Sequence, residues 1–245
     1  MHSYQNPETG QKYLDYLDSP DGKTQREILG DGIMGSLPDN RSLRVLDAAC
    51  GSAWLTSELA KRFEQVQGFD NSEFLLHQGK QAHPELNLAK ADLTGDLPYP
   101  DAYFDVVVLN MAVTDVEDLD KLYTNLSRIL KPGGTLITTT PNPSYAFPVG
   151  VWKRGLLGWM FRRKPKLKVR PWSKFRNGKK LSWNNTFSHY FYPLSTQIQK
   201  AKRAGFALAQ LNELWSNTDS DEFNLRYQLF RYPLFVVLTF IKRTE

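Results

Sequence analysis

Apolar residues recur along this chain with two different spacings. Leu43, Val45 and Leu46 lead a short run that ends in Asp47 and Ala48, and then Leu55, Leu59 and Phe63 follow at four-residue spacing. A strand turns successive side chains to opposite faces, while a helix returns to one face every three to four residues. The first run therefore reads as a strand over 43–48 and the second as a helix over 53–63, with Ser52 as its N-cap. The exchange repeats. Residues 64–70 (EQVQGFD) read as a second strand, followed by a short helix from a Ser72 cap to about Gln81. Residues 86–91 (LNLAKA) read as a third strand, and 104–110 (FDVVVLN) as a fourth, apolar enough to lie inside a parallel sheet. Leu119, Leu122, Leu126, Ile129 and Leu130 mark a helix that Lys131-Pro132-Gly133-Gly134 ends, and 135–140 (TLITTT) reads as a fifth strand. The stretch 144–190 has no clear periodicity. Beyond it, Leu194 to Ala204 reads as a helix with Ser195 as cap and Gly205 as stop, and 206–211 and 234–242 read as two final strands forming a hairpin.

Strands alternating with helices predict an α/β fold: a Rossmann-like, doubly wound, seven-stranded sheet, mostly parallel with an antiparallel last strand, plus an insert after strand five. The 245 residues are read as a single domain: an N-terminal cap (1–40), a core (43–142), a substrate-side insert or lid (144–190) and a C-terminal part of the core (191–245).

Charge changes the picture of the insert. Twelve Lys and Arg fall between Lys153 and Lys180, no Asp or Glu occurs from 121 to 212, and the remainder of the chain is net negative although the total is +5. This is an acidic body carrying a basic stretch, in which Trp152, Trp159, Trp172 and Trp183 are interleaved. The stretch 147–183 reads as a lid over a small-molecule pocket, as a contact with an anionic membrane surface, or, ranked last, as an RNA contact. Cys50 is the single cysteine, which excludes a disulfide framework and a thiol-only metal site. With a polar N-terminus and no apolar run of about 18 residues, a cytoplasmic protein is expected.

Three strands end in a carboxylate: Asp47, Asp70 and Asp92. In a doubly wound sheet these tips line one edge, where ligands bind. A carboxylate at the second tip can accept both hydroxyls of a ribose, one at the third can accept an exocyclic amine, and the first can face the cationic end of a ligand. The competing reading is that each aspartate caps its own loop.

The runs VLDAACGSA (45–53), GFD (68–70), ADLTGDLPYPDAYFDVVVLN (91–110) and LKPGGTL (130–136) resemble the class I S-adenosylmethionine-dependent methyltransferases, and HYFYPLSTQIQKAKRAGF (189–206) resembles the approach to the sixth strand in their small-molecule members. The resemblance implies that Asp47, Ala49 and Gly51 surround the methionine part of S-adenosylmethionine and that Asp70, with Asn71 beside it, takes the ribose. It implies that Asp92 and Leu93 hold the adenine, that Asn110 and Met111 flank the sulfonium, and that Tyr4 and Tyr13 belong to a cap closing over the cofactor. Ala49 and Ala53 stand where the family more often has glycine. That is compatible with a close backbone approach if both keep negative φ and leave the left-handed conformation to Gly51.

The expected activity is methyl transfer to a small molecule at oxygen by in-line displacement, leaving S-adenosylhomocysteine, with no metal. Cys50 lies in the cofactor loop and is rejected as a nucleophile. The run LNMAVTD (109–115) replaces the Asn/Asp-Pro-Pro-aromatic motif of nucleic-acid amino methyltransferases. His189 is the candidate general base, set against a purely structural histidine, and Asp115, Trp152, Tyr190 and Tyr192 are candidate substrate contacts. Two alternatives stay open: a lipid or quinone methyltransferase at a membrane surface, and a non-catalytic module that keeps the fold and binds membrane or RNA. Oligomeric state leaves no signal in the sequence.

Overall fold

A short 3-10 turn, Ser3–Gln5, begins the structure, a computed structural model that describes residues 3–142, 150–153, 166–169, 179–183, 187–215 and 233–244. Two helices follow, α1 (Pro7–Asp18) and α2 (Pro20–Met34). Each opens on a proline, whose fixed φ and missing N–H suit the first helical position, after a residue whose side chain caps the turn. Asn6 Oδ1 accepts from the Glu8 N–H at 2.9 Å, and Ser19 Oγ accepts from the Gly22 N–H at 3.1 Å. Gly22 lets the two helices meet, because a Cβ there would stand 2.1 Å from the Tyr16 carbonyl oxygen.

The core then runs β1 (Arg44–Ala48), α3 (Trp54–Arg62), β2 (Gln65–Asp70), α4 (Glu73–Ala82), β3 (Asn87–Lys90), β4 (Phe104–Leu109), a 3-10 turn (Val113–Asp115), α5 (Leu119–Ile129) and β5 (Leu130–Pro141). Past the insert come α6 (Leu194–Arg203), β10 (Phe206–Leu214) and β11 (Phe235–Lys242). The seven core strands form one sheet in the order β10-β11-β5-β4-β1-β2-β3. The first five strands pair in parallel, and β11 lies antiparallel to both β5 and β10. This is the expected sheet with its antiparallel last strand. The chain order reverses at β1, between β2 and β4, which is where a doubly wound sheet opens a crevice.

Alternation along β4 shows why FDVVVL is apolar at all positions but Asp105. Val107 and Leu109 pack against α5 (Leu122, Tyr123, Leu126), whereas Val106 and Val108 pack against α2 and α3 (Ile33, Leu55, Leu59). With helices on both faces, every position of the strand but Asp105, which pairs with Lys131, is interior.

The structure departs from the sequence reading at two helix caps, in β5, in the stretch after it, and in β10, which runs to Leu214 rather than ending at 211. The N-cap of α3 is Ala53, left-handed and without a side-chain cap, not Ser52. The N-cap of α6 is Pro193, not Ser195. β5 starts at Leu130 rather than 135, because Leu130 still pairs with Phe104 before Lys131-Pro132-Gly133-Gly134 break the register and pairing resumes at Val106↔Thr135. The stretch read as lacking periodicity contains two antiparallel ribbons, β6 (Gly150–Lys153) with β7 (Lys166–Val169) and β8 (Lys179–Trp183) with β9 (Phe187–Phe191). Trp159 and Trp172 lie outside the described residues, and of Trp152 and Trp183 only the backbone is described. Among the described residues no helix is long and apolar enough to cross a membrane.

Candidate active site

At the carboxyl end of the central strand, Asp47 is 1% exposed. Its Oδ2 accepts from Thr56 Oγ1 on α3 at 2.6 Å, while its Oδ1 is buried with no hydrogen-bond partner. Burial pushes the carboxyl up to about 7, against the lowering effect of the Thr56 bond and with a further rise from Asp70. The loop that follows bends through alternate left-handed residues: Ala49 at φ 61°, Gly51 at φ 55° and Ala53 at φ 67°. The expectation that both alanines keep negative φ is thus overturned. The loop must reverse between the end of β1 and the start of α3 while Cys50 N–H donates to the Phe69 carbonyl at 2.8 Å and Gly51 N–H to Asp70 Oδ2 at 2.9 Å. Those anchors outweigh the backbone preference of alanine. At Gly51 φ and not space favours glycine, since a Cβ there would meet only Leu75 Cδ1 and Tyr13 Cε1, each at 3.8 Å. The Cys50 thiol is buried and raised, chiefly by desolvation, which agrees with its rejection as a nucleophile.

Asp70 ends β2 and is buried. Its second oxygen accepts from the Ser72 N–H at 2.8 Å, so this carboxylate ties the loop after β1 to the start of α4. Desolvation raises it above the ordinary carboxylate range, opposed by the Ser72 and Gly51 amides. Asn71 is half-buried beside it. Past β3, Asp92 Oδ1 accepts from Thr94 N–H and Thr94 Oγ1, both at 2.8 Å, and the buried Leu93 has its carbonyl held by Asn125 Nδ2 at 2.9 Å. The tip of β4 is set by its neighbour in β5. Thr139 Oγ1 donates to Asn110 Oδ1 at 2.6 Å and accepts from the Met111 N–H at 2.8 Å, with Met111 left-handed at φ 59°.

The N-terminal elements close over this edge. Tyr4 and Tyr13 meet edge to face, ring centroids 5.3 Å apart, and Ser72 Oγ donates to the Tyr4 carbonyl at 2.7 Å. Both phenols are raised well above the tyrosine range, first by burial. Asp115 and Asp70 add to this in both, and Asp47 in Tyr13. Both rings therefore lie within electrostatic reach of Asp70 at the end of β2 and of Asp115 in the 3-10 turn.

β9 and the residues just after it are fastened to the 3-10 turn and the segment that leads to α5. His189 Nδ1 stands 2.7 Å from Asp115 Oδ1, and Tyr190 OH donates to Glu117 Oε2 at 2.8 Å. Tyr192, 5% exposed, donates to the carbonyls of Val116 and Glu117 at 2.9 Å each. Its hydroxyl serves this fastening. Trp152 contributes only its backbone in β6 to what is described. Sequence reasoning missed Thr56, Thr139 and the second role of Ser72. Thr56 is the residue a helix would bring back over Asp47, whereas nothing local marks Asp115 and His189, 74 positions apart, as a pair. No group of three or more metal-binding side chains occurs among the described residues.

A family model described as a methyltransferase domain matches residues 46–138, the segment that carries these strand tips. This segment is thus similar to a methyltransferase domain, and the sheet around it has the Rossmann-like methyltransferase fold. The chain is similar to a demethylmenaquinone methyltransferase of Streptomyces avermitilis, 35% identical over 94 residues, covering 38% of this chain and 40% of that protein. It is also similar to a malonyl-[acyl-carrier protein] O-methyltransferase of Enterobacter lignolyticus, 33% identical over 110 residues, covering 45% and 43%. The chain thus spans about two fifths of the length of these relatives. Its fold agrees with the crystal structure of an S-adenosylmethionine-dependent methyltransferase from Mesorhizobium loti, at a TM-score of 0.68 and 24% identity over 86% of this chain and 96% of that one.

Proposed function

We propose that this methyltransferase core binds S-adenosylmethionine along the tips of β1 to β4 and transfers its methyl group to an oxygen of a small molecule, releasing S-adenosylhomocysteine. The observation that carries the reading is Asp47, whose carboxylate has one oxygen buried and unpartnered. Such an atom costs about 1–3 kcal/mol unless something completes it, and a ligand's ammonium group does so with favourable charge.

Bound S-adenosylmethionine supplies a methyl group activated on sulfonium. The chain's residues hold and shield it. Asp47, with the backbone of Ala49 and Gly51, takes the amino-acid end. Asp70, flanked by Asn71, has lone pairs to accept ribose hydroxyls while keeping its Gly51 and Ser72 amides. Asp92 and Leu93 take the base, Asn110 and Met111 border the sulfonium, and Tyr4 and Tyr13 exclude water. Alignment supplies most of the rate, and His189 accepts the acceptor's proton. Asp115, Tyr190 and Trp152 border the acceptor. Calorimetric titration with S-adenosylmethionine tests the reading: one-to-one binding is expected, and no heat at millimolar cofactor ends it. Binding without turnover of any acceptor would instead favour the non-catalytic module.

A second reading, a lipid or quinone acceptor met at an anionic membrane surface by a cytoplasmic protein, is favoured by the relative named for demethylmenaquinone together with the cations and tryptophans of 147–183. Flotation with anionic vesicles, lost at high salt, supports it. Retention on RNA with a steep salt slope would favour nucleic acid, for which the sequence offers no recognisable module.

A further inference from the structure

Asp47 and Asp70 sit on neighbouring strands at the same edge of the sheet, since Asp47 pairs with Gly68, two residues before Asp70. Both are buried, but they are not equally supplied with donors. Asp70 accepts from the Gly51 amide on one oxygen at 2.9 Å and from the Ser72 amide on the other at 2.8 Å. Asp47 accepts from Thr56 Oγ1 on one oxygen, and its other oxygen has no partner. Two buried carboxyls side by side do not both ionise readily, and the one with an unsatisfied oxygen keeps the proton. That one is Asp47, which desolvation lifts to about 7. The groups around it act in the same direction or stay neutral. Asp70 on β2 raises Asp47 by like charge, and Asp115, in the 3-10 turn and paired with His189, raises Asp70. The Cys50 thiol in the loop and the Tyr13 phenol of α1 are kept uncharged by burial. From α3 it is the uncharged Thr56 that faces Asp47, and on β4 its register partner is Val108.

We propose that Asp47 stores a proton while the cofactor site is empty and gives it up when the amino-acid end of S-adenosylmethionine arrives, so that pH sets the occupancy of the site. The proposal rests on the methyltransferase reading above and adds its regulation. In the step, the Asp47 O–H bond breaks and the proton passes to water. The carboxylate left behind accepts from the ligand's α-ammonium, which keeps its own protons below about pH 8. The buried carboxyl is thus ionised only when a cation completes its open oxygen. Above pH 7 the empty site has already lost the proton, and binding releases none. Below pH 7 the ligand must displace it, which costs about tenfold in affinity for each unit that the pH falls.

Calorimetric titration of the full chain with S-adenosylhomocysteine, in buffers of different ionisation enthalpy, counts the protons exchanged. About one proton should leave per ligand bound at pH 6, almost none at pH 8, and affinity should fall about 20-fold from pH 7.5 to pH 5.5. 5′-Methylthioadenosine, which keeps the nucleoside and lacks the amino-acid end, should release no proton at pH 6. Release with this ligand would put the stored proton on Asp70, beside the ribose, and overturns the proposal. Thr56→Val keeps the Asp47 carboxyl but removes its hydroxyl donor, so the midpoint of the pH dependence should rise by about one unit. An unmoved midpoint overturns the assignment to Asp47. S-adenosylhomocysteine binding at pH 6 without proton release overturns the gate and leaves the methyltransferase reading standing. Failure of both ligands to bind between pH 5.5 and pH 8 overturns both.

Discussion

Ala49 and Ala53 share a left-handed backbone, φ 61° and 67°, yet should respond differently to glycine. The conformation costs an alanine about 1–2 kcal/mol, and glycine relieves it at an unfolded-state entropy cost of about 0.5–1 kcal/mol. Ala49 is half-buried, so Ala49→Gly should stabilise by about 0.5 kcal/mol in urea unfolding. The Cβ of Ala53 is fully buried against Gly79, and losing it costs about 0.8 kcal/mol more. Ala53→Gly should therefore be neutral or destabilising. A clear loss at both positions would mean that the loop is not left-handed in solution. Asp47 gives a pH-dependent prediction. Its folded carboxyl is raised to about 7, above its unfolded value, so the folded state holds the proton more tightly. Stability then falls as pH rises from about 4 to about 7 and is flat above, at about 1.4 kcal/mol per unit within the window. Asp70, raised in the same direction, adds to the fall. Asp47→Asn has no charge to bury. It should match the wild type in unfolding free energy near pH 4, exceed it at pH 8 by a few kcal/mol, and lose cofactor binding.

At the scale of elements, what could be read from the sequence depended on how local the cause was. The core strands and the helices between them follow from apolar spacing, which reports burial directly. The left-handed alanines could not be read this way, because their φ is imposed by Phe69 and Asp70 on a neighbouring strand. Helices α1 and α2 carried signals that the sequence reading left within an undivided cap: Asn6 before Pro7 and Ser19 before Pro20. The joining of β9 to Asp115 and Glu117 had no local signal. Ser72 shows one residue serving two elements, since its Oγ accepts from the Leu75 N–H at 3.3 Å to cap α4 and donates to the Tyr4 carbonyl. Ser72→Ala should cost about 1 kcal/mol by the lost cap. Beyond that, it should speed amide exchange in the 3-10 turn Ser3–Gln5 and in α1 behind it, because the turn has lost its tie to the start of α4. Unchanged exchange there would show that the packing of Gly10 on Phe74 holds the cap by itself.

On the scale of the whole molecule, the candidate site draws together the ends of strands that backbone ladders and side-chain bonds already join. Asp47 and Asp70 end neighbouring strands, Asn110 follows β4 on the other side of β1, and the Tyr4–Tyr13 pair stands beside Gly51 and Ser72. A ligand held by all of these binds only the folded chain. At 100 times its Kd it adds about 2.7 kcal/mol to the unfolding free energy. For a domain of 245 residues that corresponds to a rise in Tm of roughly 5–10 °C with S-adenosylmethionine. The variants divide by position. Asp47→Asn should start from a higher Tm at pH 8 and gain almost nothing from cofactor. His189→Ala should keep the full shift, because the ring belongs to the acceptor side. Asp70→Ala should lose on both counts, since its carboxylate also holds the Gly51 and Ser72 amides. Thermal unfolding of these proteins with and without cofactor separates a ligand site from a capping network. If Asp47→Asn retains the shift, the unpartnered oxygen is not what the cofactor completes, and the placement of its amino-acid end at β1 is wrong.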